Sequence, residues 1–242
     1  MSQATVVVGC GEVGAAVAKL LNADKHDPMK GLKVKEGSTY KFVHIAFPYN
    51  KFFMQRVKMY QKMFKPQVTI IHSTVPVGTC DRLHAVHSPV RGVHPNIFEG
   101  LLTFQKLFAG KDAAKAAKQF KNVVVSNKTY TSNKTLDVKV IKDAKTSEAS
   151  KLWETTMYGA LIALNKEIYA YCKKHKLDFD IVYKWQTETY NEGYKALGRP
   201  ELARPVLKYM KGKIGGHCVV ENCLLLDTPT AKNIIRINKK LK

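Results

Sequence analysis

The chain has 242 residues, and 45% of them are hydrophobic. It is therefore long enough for one large or two modest domains with buried cores, and its composition is that of a globular rather than a disordered protein. Lysine and arginine number 40 against 19 acidic residues, which gives a formal net charge of +21. Because the sequence has no zinc-finger, RRM or arginine-rich signature, a solvated basic surface or a field that attracts a small anionic metabolite is favoured over a nucleic-acid partner.

The cysteines and the start of the chain bear on the cellular compartment in which the protein is expected. The number of cysteines is odd, a predicted strand begins at Thr5, and no apolar run reaches the length of a membrane span. We therefore expect reduced thiols and a cytoplasmic protein. The spacing of His217, Cys218 and Cys223 is too irregular for a metal site, so no metal is expected.

The first predicted unit is a buried strand, a glycine turn and a helix, at Thr5–Val8, Gly9–Gly14 and Ala15–Leu21. This is the context that a G-x-G-x-x-G pattern needs for dinucleotide binding. Gly9 would permit the tight turn, and Gly11 would let the backbone approach a pyrophosphate. Gly14 would let the helix pack close to the strand.

A polar segment after this helix bears on the choice of cofactor. Asp27 lies at about the distance from the glycine turn where an acidic residue holds the adenosine ribose of NAD. Lys25, His26 and Lys30 surround it, and such cations would accept the 2′-phosphate of NADP. NAD is favoured and NADP stays open, while Asp27 could also be a simple turn residue before Pro28.

Strands and helices then alternate through residues 1–145. We predict strands at Phe42–Ala46, Val68–His72 and Val123–Val125, and helices at Lys51–Phe64 and Asp112–Phe120. This alternation predicts a Rossmann-type, mainly parallel sheet covered on both faces. Residues 1–145 are therefore assigned to an NAD(P)-binding domain.

Residues 146–242 have a helical pattern. Ser147–His175 reads as one long helix with Ser147 as its N-cap, and further helices are predicted at Ile181–Gly193 and from about Asn222 to Leu226 and beyond. One face of the long helix has small and apolar residues, namely Leu152, Thr156, Gly159, Ala163 and Ile168. Such a face suits close packing within the chain or against a second subunit, so a homodimer through this helix is expected.

Four separated segments together resemble the nucleotide-sugar 6-dehydrogenase (UDP-glucose/GDP-mannose dehydrogenase) family. They are Gly9–Gly14, the sequence STVPVGT at Ser73–Thr79, SEASK at Ser147–Lys151, and Gly-Gly-His-Cys at Gly215–Cys218. Their order and spacing match across nearly the whole chain. The helical second domain is also similar to that of 6-phosphogluconate and hydroxyisobutyrate dehydrogenases, which lack the cysteine. The resemblance implies a 6-phosphogluconate dehydrogenase-like fold and the loss of the family's C-terminal nucleotide-sugar-binding domain.

The resemblance implies oxidation of a primary alcohol to an acid in two NAD-linked steps. Cys218 would capture the intermediate aldehyde and carry a thioester, and Lys151 would stabilise the alkoxide or oxyanion. Thr74 matches a threonine that helps to position water, and Glu99 matches a Glu-Gly pair. By the same resemblance the substrate is an anionic sugar derivative, either a nucleotide sugar or a sugar phosphate.

Two positions depart from the family pattern: Thr155 stands where the family has Asn, and Asn222 stands where it has Asp. Either change could weaken catalysis, so a catalytically impaired binding or scaffold protein stays open, as does a simple 2-hydroxyacid-type dehydrogenase that uses Lys151. The predicted catalytic set is Cys218, Lys151, Thr74, Thr155, Asn222 and Glu99. The predicted cofactor-binding set is Gly9, Gly11, Glu12, Val13, Gly14, Asp27, Ser73 and Thr74.

Overall fold

The structure, a computed structural model, describes residues 4–92, 94–126, 137–215 and 217–241. The chain divides into two compact units, Met1–Lys151 and Leu152–Lys242. The division falls inside one long helix, and the predicted boundary after residue 145 lies in the first turn of that helix. The predicted fold class is confirmed, because a mainly parallel Rossmann-type sheet is followed by helices built around one long helix.

In the described part of the first unit, seven short strands form one sheet. In chain order they are β1 (Thr5–Val8), β2 (Asp24–His26), β3 (Phe42–Ile45), β4 (Val68–Ile71), β5 (Val86–His87), β6 (Lys106–Ala109) and β7 (Val138–Ile141). Their spatial order is β2-β1-β3-β4-β5-β6-β7. Neighbouring strands are parallel except at the β5–β6 pair.

Helices cover both faces of this sheet. They are α1 (Glu12–Leu21), α2 (Phe53–Phe64), α3 (Thr79–Arg82), α4 (Ile97–Thr103) and α5 (Ala113–Ser126). Successive strand residues enter different hydrophobic clusters, with Val7 beside α1, α4 and α5 and its neighbours Val6 and Val8 beside α2. The predicted apolar stripe of α2 is confirmed, since its members Phe53, Val57, Tyr60 and Phe64 are all buried.

The strand predicted at Val123–Val125 is wrong, because these residues belong to α5. The alanine-rich segment before them has already formed the helix, and adding a residue to an existing helix costs far less than starting one. The valine penalty in a helix is only a few tenths of a kcal/mol each. The strand that pairs with β6 is instead β7.

The second unit consists of helices. They are α6 (Ala144–His175, which begins in the first unit), α7 (Gln186–Ala196), α8 (His217–Cys223) and α9 (Pro229–Lys240). One π-helical stretch, Asp180–Trp185, leads into α7, so the predicted helix from Ile181 is confirmed in outline. Among the described residues no helix has the length and apolarity to cross a bilayer.

Two predicted helix boundaries are wrong. The N-cap of α6 is not Ser147: Asp143 performs this role, and its carboxylate accepts the amides of Lys145 and Thr146 at 3.0 and 3.1 Å. The helix predicted from Asn222 onward is two helices, α8 and α9. They separate because Thr228 caps α9 through its hydroxyl and Pro229 favours the first helical position.

The small-residue face of α6 is covered within the chain. Leu152, Thr156 and Ala163 are buried. At Gly159 an added Cβ would lie 2.6 Å from Val219 of α8 and 3.4 Å from Ile234 of α9. Of the two partners that the sequence left open for this face, the structure provides the intramolecular one.

Candidate functional site

The backbone of the glycine turn after β1 is tightly constrained at two of its three glycines. Gly9 has a φ of +86°, which a side chain would strain. At Gly14 an added Cβ would lie 1.8 Å from the carbonyl oxygen of Gly9, so only glycine lets α1 approach the turn this closely. At Gly11 an added Cβ would meet nothing within 4 Å. The turn is thus closed on its inner side and open on the side from which a pyrophosphate would approach.

The helix that follows begins with a glycine N-cap, which has no side chain to satisfy the first amides of α1. These amides and the helix dipole suit an anion. Glu12 lies in the first turn and its carboxylate contacts the Nδ1 of His94. Val13 is half-buried and packs against the core of the sheet unit.

Asp27 follows the last residue of β2, directly beside the glycine turn. Its Oδ2 accepts the amide of Cys10 at 2.8 Å, and the Nζ of Lys30 donates to the carbonyl oxygen of Cys10, also at 2.8 Å. A cavity of about 590 Å³ opens here and is lined by Gly9, Gly11, Asp27, Lys30 and side chains of α2. The glycine turn therefore borders open space with a volume typical of small-molecule binding pockets.

The STVPVGT segment forms the connection from β4 to α3. Its first hydroxyl, that of Ser73, donates to the carbonyl oxygen of Phe47 at 2.6 Å, and Thr74 is half-buried in the same loop. Glu148 of α6 holds the far end of the loop, because its fully buried carboxylate accepts the amides of Gly78 and Cys80 at 2.5 and 2.7 Å. Burial raises the pKa of Glu148, chiefly through desolvation.

His87, which was assigned no role in the sequence analysis, joins this loop to α6. Its Nδ1 lies 2.8 Å from the hydroxyl of Ser147, and its Nε2 lies 3.4 Å from the carbonyl oxygen of Ser73. Since a carbonyl oxygen can only accept, we assign the ring proton to Nε2 and let Ser147 donate to Nδ1. Desolvation by burial lowers the pKa of His87 to about 3, and the charge of Lys151 contributes in the same direction.

A second buried polar group lies beside it. The Nζ of Lys106 donates to the carbonyl oxygens of Ser88 and Pro89 at 2.7 and 2.8 Å, and lies 3.5 Å from the Nδ1 of His72. The Nε2 of His72 is 2.8 Å from the Nδ1 of His44. Burial lowers the pKa values of all three groups, that of His44 to about 3. The sequence signal that could have indicated this buried polar group is a polar residue within an apolar strand, such as His44 in Phe42–Ile45.

In the second unit, the structure brings together the two residues that depart from the family pattern. The Nδ2 of Asn222 in α8 donates to the hydroxyl of Thr155 in α6 at 3.1 Å, and Asn222 is buried. Cys218 is exposed and lies one helical turn before Asn222 in α8. Thr155 in turn donates to the carbonyl oxygen of Leu152 at 3.0 Å.

The loop that precedes α8 is fixed by buried polar side chains. Lys166 of α6 donates to the carbonyl oxygens of Met210 and Gly212 at 2.5 and 2.7 Å, although only 4% of it is exposed. Desolvation lowers the pKa of its ammonium group. A pocket of about 430 Å³ lies between this loop and α6. It is lined by Tyr158, Ile162, Asn165, Lys166, Leu207, Lys208, Met210, Lys211, Lys213 and Gly215. The described lining has four lysines and no acidic residue.

The remaining predicted residues lie elsewhere in these elements. Lys151 is half-buried on α6, four residues before Thr155 and therefore on the same helical face. Glu99 is exposed in the first turn of α4.

A Rossmann-type sheet with an open glycine turn, followed by helices around one long helix, defines the 6-phosphogluconate dehydrogenase-like class of folds. No protein-family model matches the chain, and a comparison with curated protein sequences finds no match. Solved structures do match in fold. A UDP-D-ManNAc dehydrogenase from Pyrococcus horikoshii superposes with a TM-score of 0.71 at 16% identity, over 98% of this chain and 68% of its own.

Two further solved structures are similar to this chain in fold. A UDP-glucose dehydrogenase from Pyrobaculum islandicum matches with a TM-score of 0.71 at 13% identity, over 99% of this chain and 68% of its own. A 3-hydroxyisobutyrate dehydrogenase from Mycobacterium tuberculosis matches with a TM-score of 0.67 at 12% identity, over 99% of this chain and 94% of its own. The chain thus has the fold of these dehydrogenases and spans about two thirds of the nucleotide-sugar enzymes.

Proposed function

We propose that the chain is a nicotinamide-dependent dehydrogenase of the nucleotide-sugar type, which oxidises a primary alcohol of an anionic sugar derivative to the acid. The sheet unit would bind the cofactor and the helical unit would carry the nucleophile. The proposal depends most on one observation: an exposed Cys218 lies one turn from a hydrogen-bonded Thr155–Asn222 pair, at the positions where the resemblance puts the nucleophile and its two polar helpers.

The residues of the sheet unit fit a dinucleotide. Gly11 leaves the backbone accessible, the first amides of α1 would hold the pyrophosphate, and Asp27 would accept the adenosine ribose hydroxyls. Ser73 and Thr74 would border the nicotinamide end, with the loop kept in place by Glu148. When bound, NAD or NADP supplies a hydride acceptor for each of the two oxidations.

The proposed chemistry assigns each step to a group of the chain. Removal of a hydride and a proton from the alcohol gives an aldehyde, and the Cys218 thiolate adds to its carbonyl carbon to form a thiohemiacetal. Loss of a second hydride leaves a thioester, and water displaces the thiolate to release the acid. By the resemblance, Lys151 stabilises the oxyanion and Thr74 helps to position the water. The Asn222 amide can only orient that water, since it cannot accept a proton.

The lysine-lined pocket supports an anionic substrate. Lys166 is a buried cation whose partners there are carbonyl oxygens, and Lys208, Lys211 and Lys213 add further positive charge around it. Such a pocket favours phosphate or pyrophosphate, because the anion would compensate a charge that burial otherwise makes costly. Gly215 lines this pocket three residues before Cys218, so the anionic part of the substrate would bind next to the nucleophile's own loop.

Two alternatives have specific observations in their favour. A catalytically impaired binding protein is favoured by Thr155 and Asn222, which replace an amide and a carboxylate. A simple hydroxyacid dehydrogenase that uses Lys151 alone is favoured by the match over 94% of the 3-hydroxyisobutyrate dehydrogenase. The number of hydrides transferred per turnover separates the three: two for the thioester route, one for the hydroxyacid route and none for the binding protein.

The proposed oligomer is a homodimer through α6, on a face of the helix other than its small-residue face. Trp153, Met157, Leu164 and Tyr171 form an exposed apolar stripe along this helix, with exposed fractions of 46%, 64%, 53% and 58%. Light scattering at micromolar concentration tests this, and a monomer would contradict it. Because a free, exposed Cys218 thiol needs a reducing compartment, we propose the cytoplasm as the location.

Substitution of Cys218 tests the function. We expect Cys218→Ser to abolish acid formation from nucleotide sugars and sugar phosphates while the affinity for the nicotinamide cofactor stays unchanged. Cys172→Ser is the matched control, since that thiol is buried. Acid formation by Cys218→Ser at the parent rate would exclude the thioester route.

A further inference from the structure

The cavity beside the glycine turn has a charge pattern that neither an NAD site nor a bare turn requires. Its lining includes one carboxylate, that of Asp27, and two cations, those of Lys30 and Arg56. His26 also lines the cavity, but it is buried against the rings of Tyr60 and Phe64, and desolvation lowers its pKa. Positive charge therefore exceeds negative charge among the described residues that line this end of the cavity.

A short turn fixes Lys30 in this position. The backbone of Asp27 and that of Leu32 exchange two hydrogen bonds, of 2.7 and 3.0 Å, and the amide of Lys30 donates to the carbonyl oxygen of Asp27 at 2.9 Å. Gly31 closes the turn with a φ of +71°. Because Asp27 accepts the amide of Cys10 and Lys30 donates to its carbonyl oxygen, both charged groups lie at the same edge of the glycine turn.

Arg56 approaches the cavity from α2. It lies one turn before Tyr60, which is buried and lines the same cavity. The pKa of Tyr60 is raised, mainly by desolvation, while the charge of Arg56 acts to lower it and that of Asp27 acts to raise it. Arg56 and Asp27 both line the cavity, so their two charges face a common space.

The geometry points to a site that accepts a 2′-phosphate on the adenosine ribose, and we propose that Lys30 and Arg56 let this chain bind NADP within tenfold of NAD. This inference rests on the proposed cofactor site. An acidic residue at the end of β2 selects NAD through the ribose hydroxyls, whereas a nearby basic side chain accommodates the extra phosphate of NADP. Here Asp27 already accepts the Cys10 amide, and two cations offset its repulsion of a phosphate.

Equilibrium binding to the full chain tests the assignment without relying on turnover. Dissociation constants for NAD⁺ and NADP⁺ would be measured by calorimetry at 50 and 300 mM NaCl, for the parent and for Lys30→Gln, Arg56→Gln and Arg56→Lys. Lys58→Gln is the matched control, since Lys58 is exposed on the same helix and is not among the residues that line the cavity. Because exposed charges are screened by salt, NADP⁺ should lose more affinity than NAD⁺ at 300 mM.

We expect Arg56→Gln and Lys30→Gln each to weaken NADP⁺ about tenfold while NAD⁺ changes less than threefold, with Arg56→Lys restoring most of the loss. NADP⁺ binding more than tenfold weaker than NAD⁺ in the parent, or a ratio that both glutamine variants leave unchanged, would overturn the inference and leave the proposed dehydrogenase intact. Failure of both dinucleotides to bind would overturn the proposed function together with it.

Discussion

Acidification should destabilise the sheet unit through its buried histidines. His44 and His87 are fully buried, and desolvation lowers the pKa of each to about 3. In the unfolded chain each has a pKa of about 6.5. Between these values the unfolded state binds more protons than the folded state. The stability present above pH 6.5 is therefore lost progressively as the pH falls towards 3.

The size of this effect follows from the same two pKa values. At pH 5 an unfolded histidine is charged and its folded counterpart is neutral, which costs about 2 kcal/mol for each residue. The two residues together amount to about 4 kcal/mol, a large part of the 5–15 kcal/mol that stabilises a typical domain. The pKa of His72 is also lowered, so its contribution has the same sign.

Urea unfolding followed by circular dichroism at pH 7.5, 6.5, 5.5 and 5.0 measures this loss, and hydrogen exchange of peptides from β3 and β4 localises it. His44→Gln and His87→Gln should each remove about 2 kcal/mol of the pH-dependent loss, whatever their effect at pH 7.5. The control is His84→Asn, because His84 is exposed and asparagine tolerates its positive φ of 49°. A loss below about 1 kcal/mol between pH 7.5 and 5, or glutamine variants with the parent slope, would refute the reasoning.

Two other predictions concern the proposed site. Gly14→Ala puts a methyl group 1.8 Å from the carbonyl oxygen of Gly9, so we expect a lower thermal midpoint and no dinucleotide binding. Gly11→Ala meets no atom within 4 Å and should keep the parent midpoint while binding dinucleotide at least about tenfold more weakly; equal behaviour of the two variants would contradict the assigned roles. Replacing Thr155 by Asn together with Asn222 by Asp restores the family pair and should raise acid formation about a hundredfold. Acid formation that the double substitution leaves unchanged in single-turnover assays would contradict the roles assigned to these two residues, and its absence from both the parent and the variant would support the binding-protein alternative.

Three adjacent strands of the sheet unit, β1, β3 and β4, were predictable because local patterns and the final packing agree there. β-branched runs such as Thr5–Val8 and the apolar stripe of α2 each require a buried surface, and a parallel sheet supplies it. The prediction failed at Val123–Val125, where β-branched residues extend a helix that neighbouring alanines had begun. Strand preference depends on which neighbours pack against a residue, and periodicity does not contain that information.

The candidate site was likewise predictable from the sequence only in part. The sequence by itself determined the glycine turn and the order of the motifs, because each motif depends on a few neighbouring residues, whereas β2, which leads to Asp27, was not predicted. Only the tertiary structure decided that Glu148 holds the amides of Gly78 and Cys80, and that Asn222 donates to Thr155. These contacts join residues that are distant in the chain, and folding selects them by the need to satisfy buried polar groups, a requirement that no local pattern records.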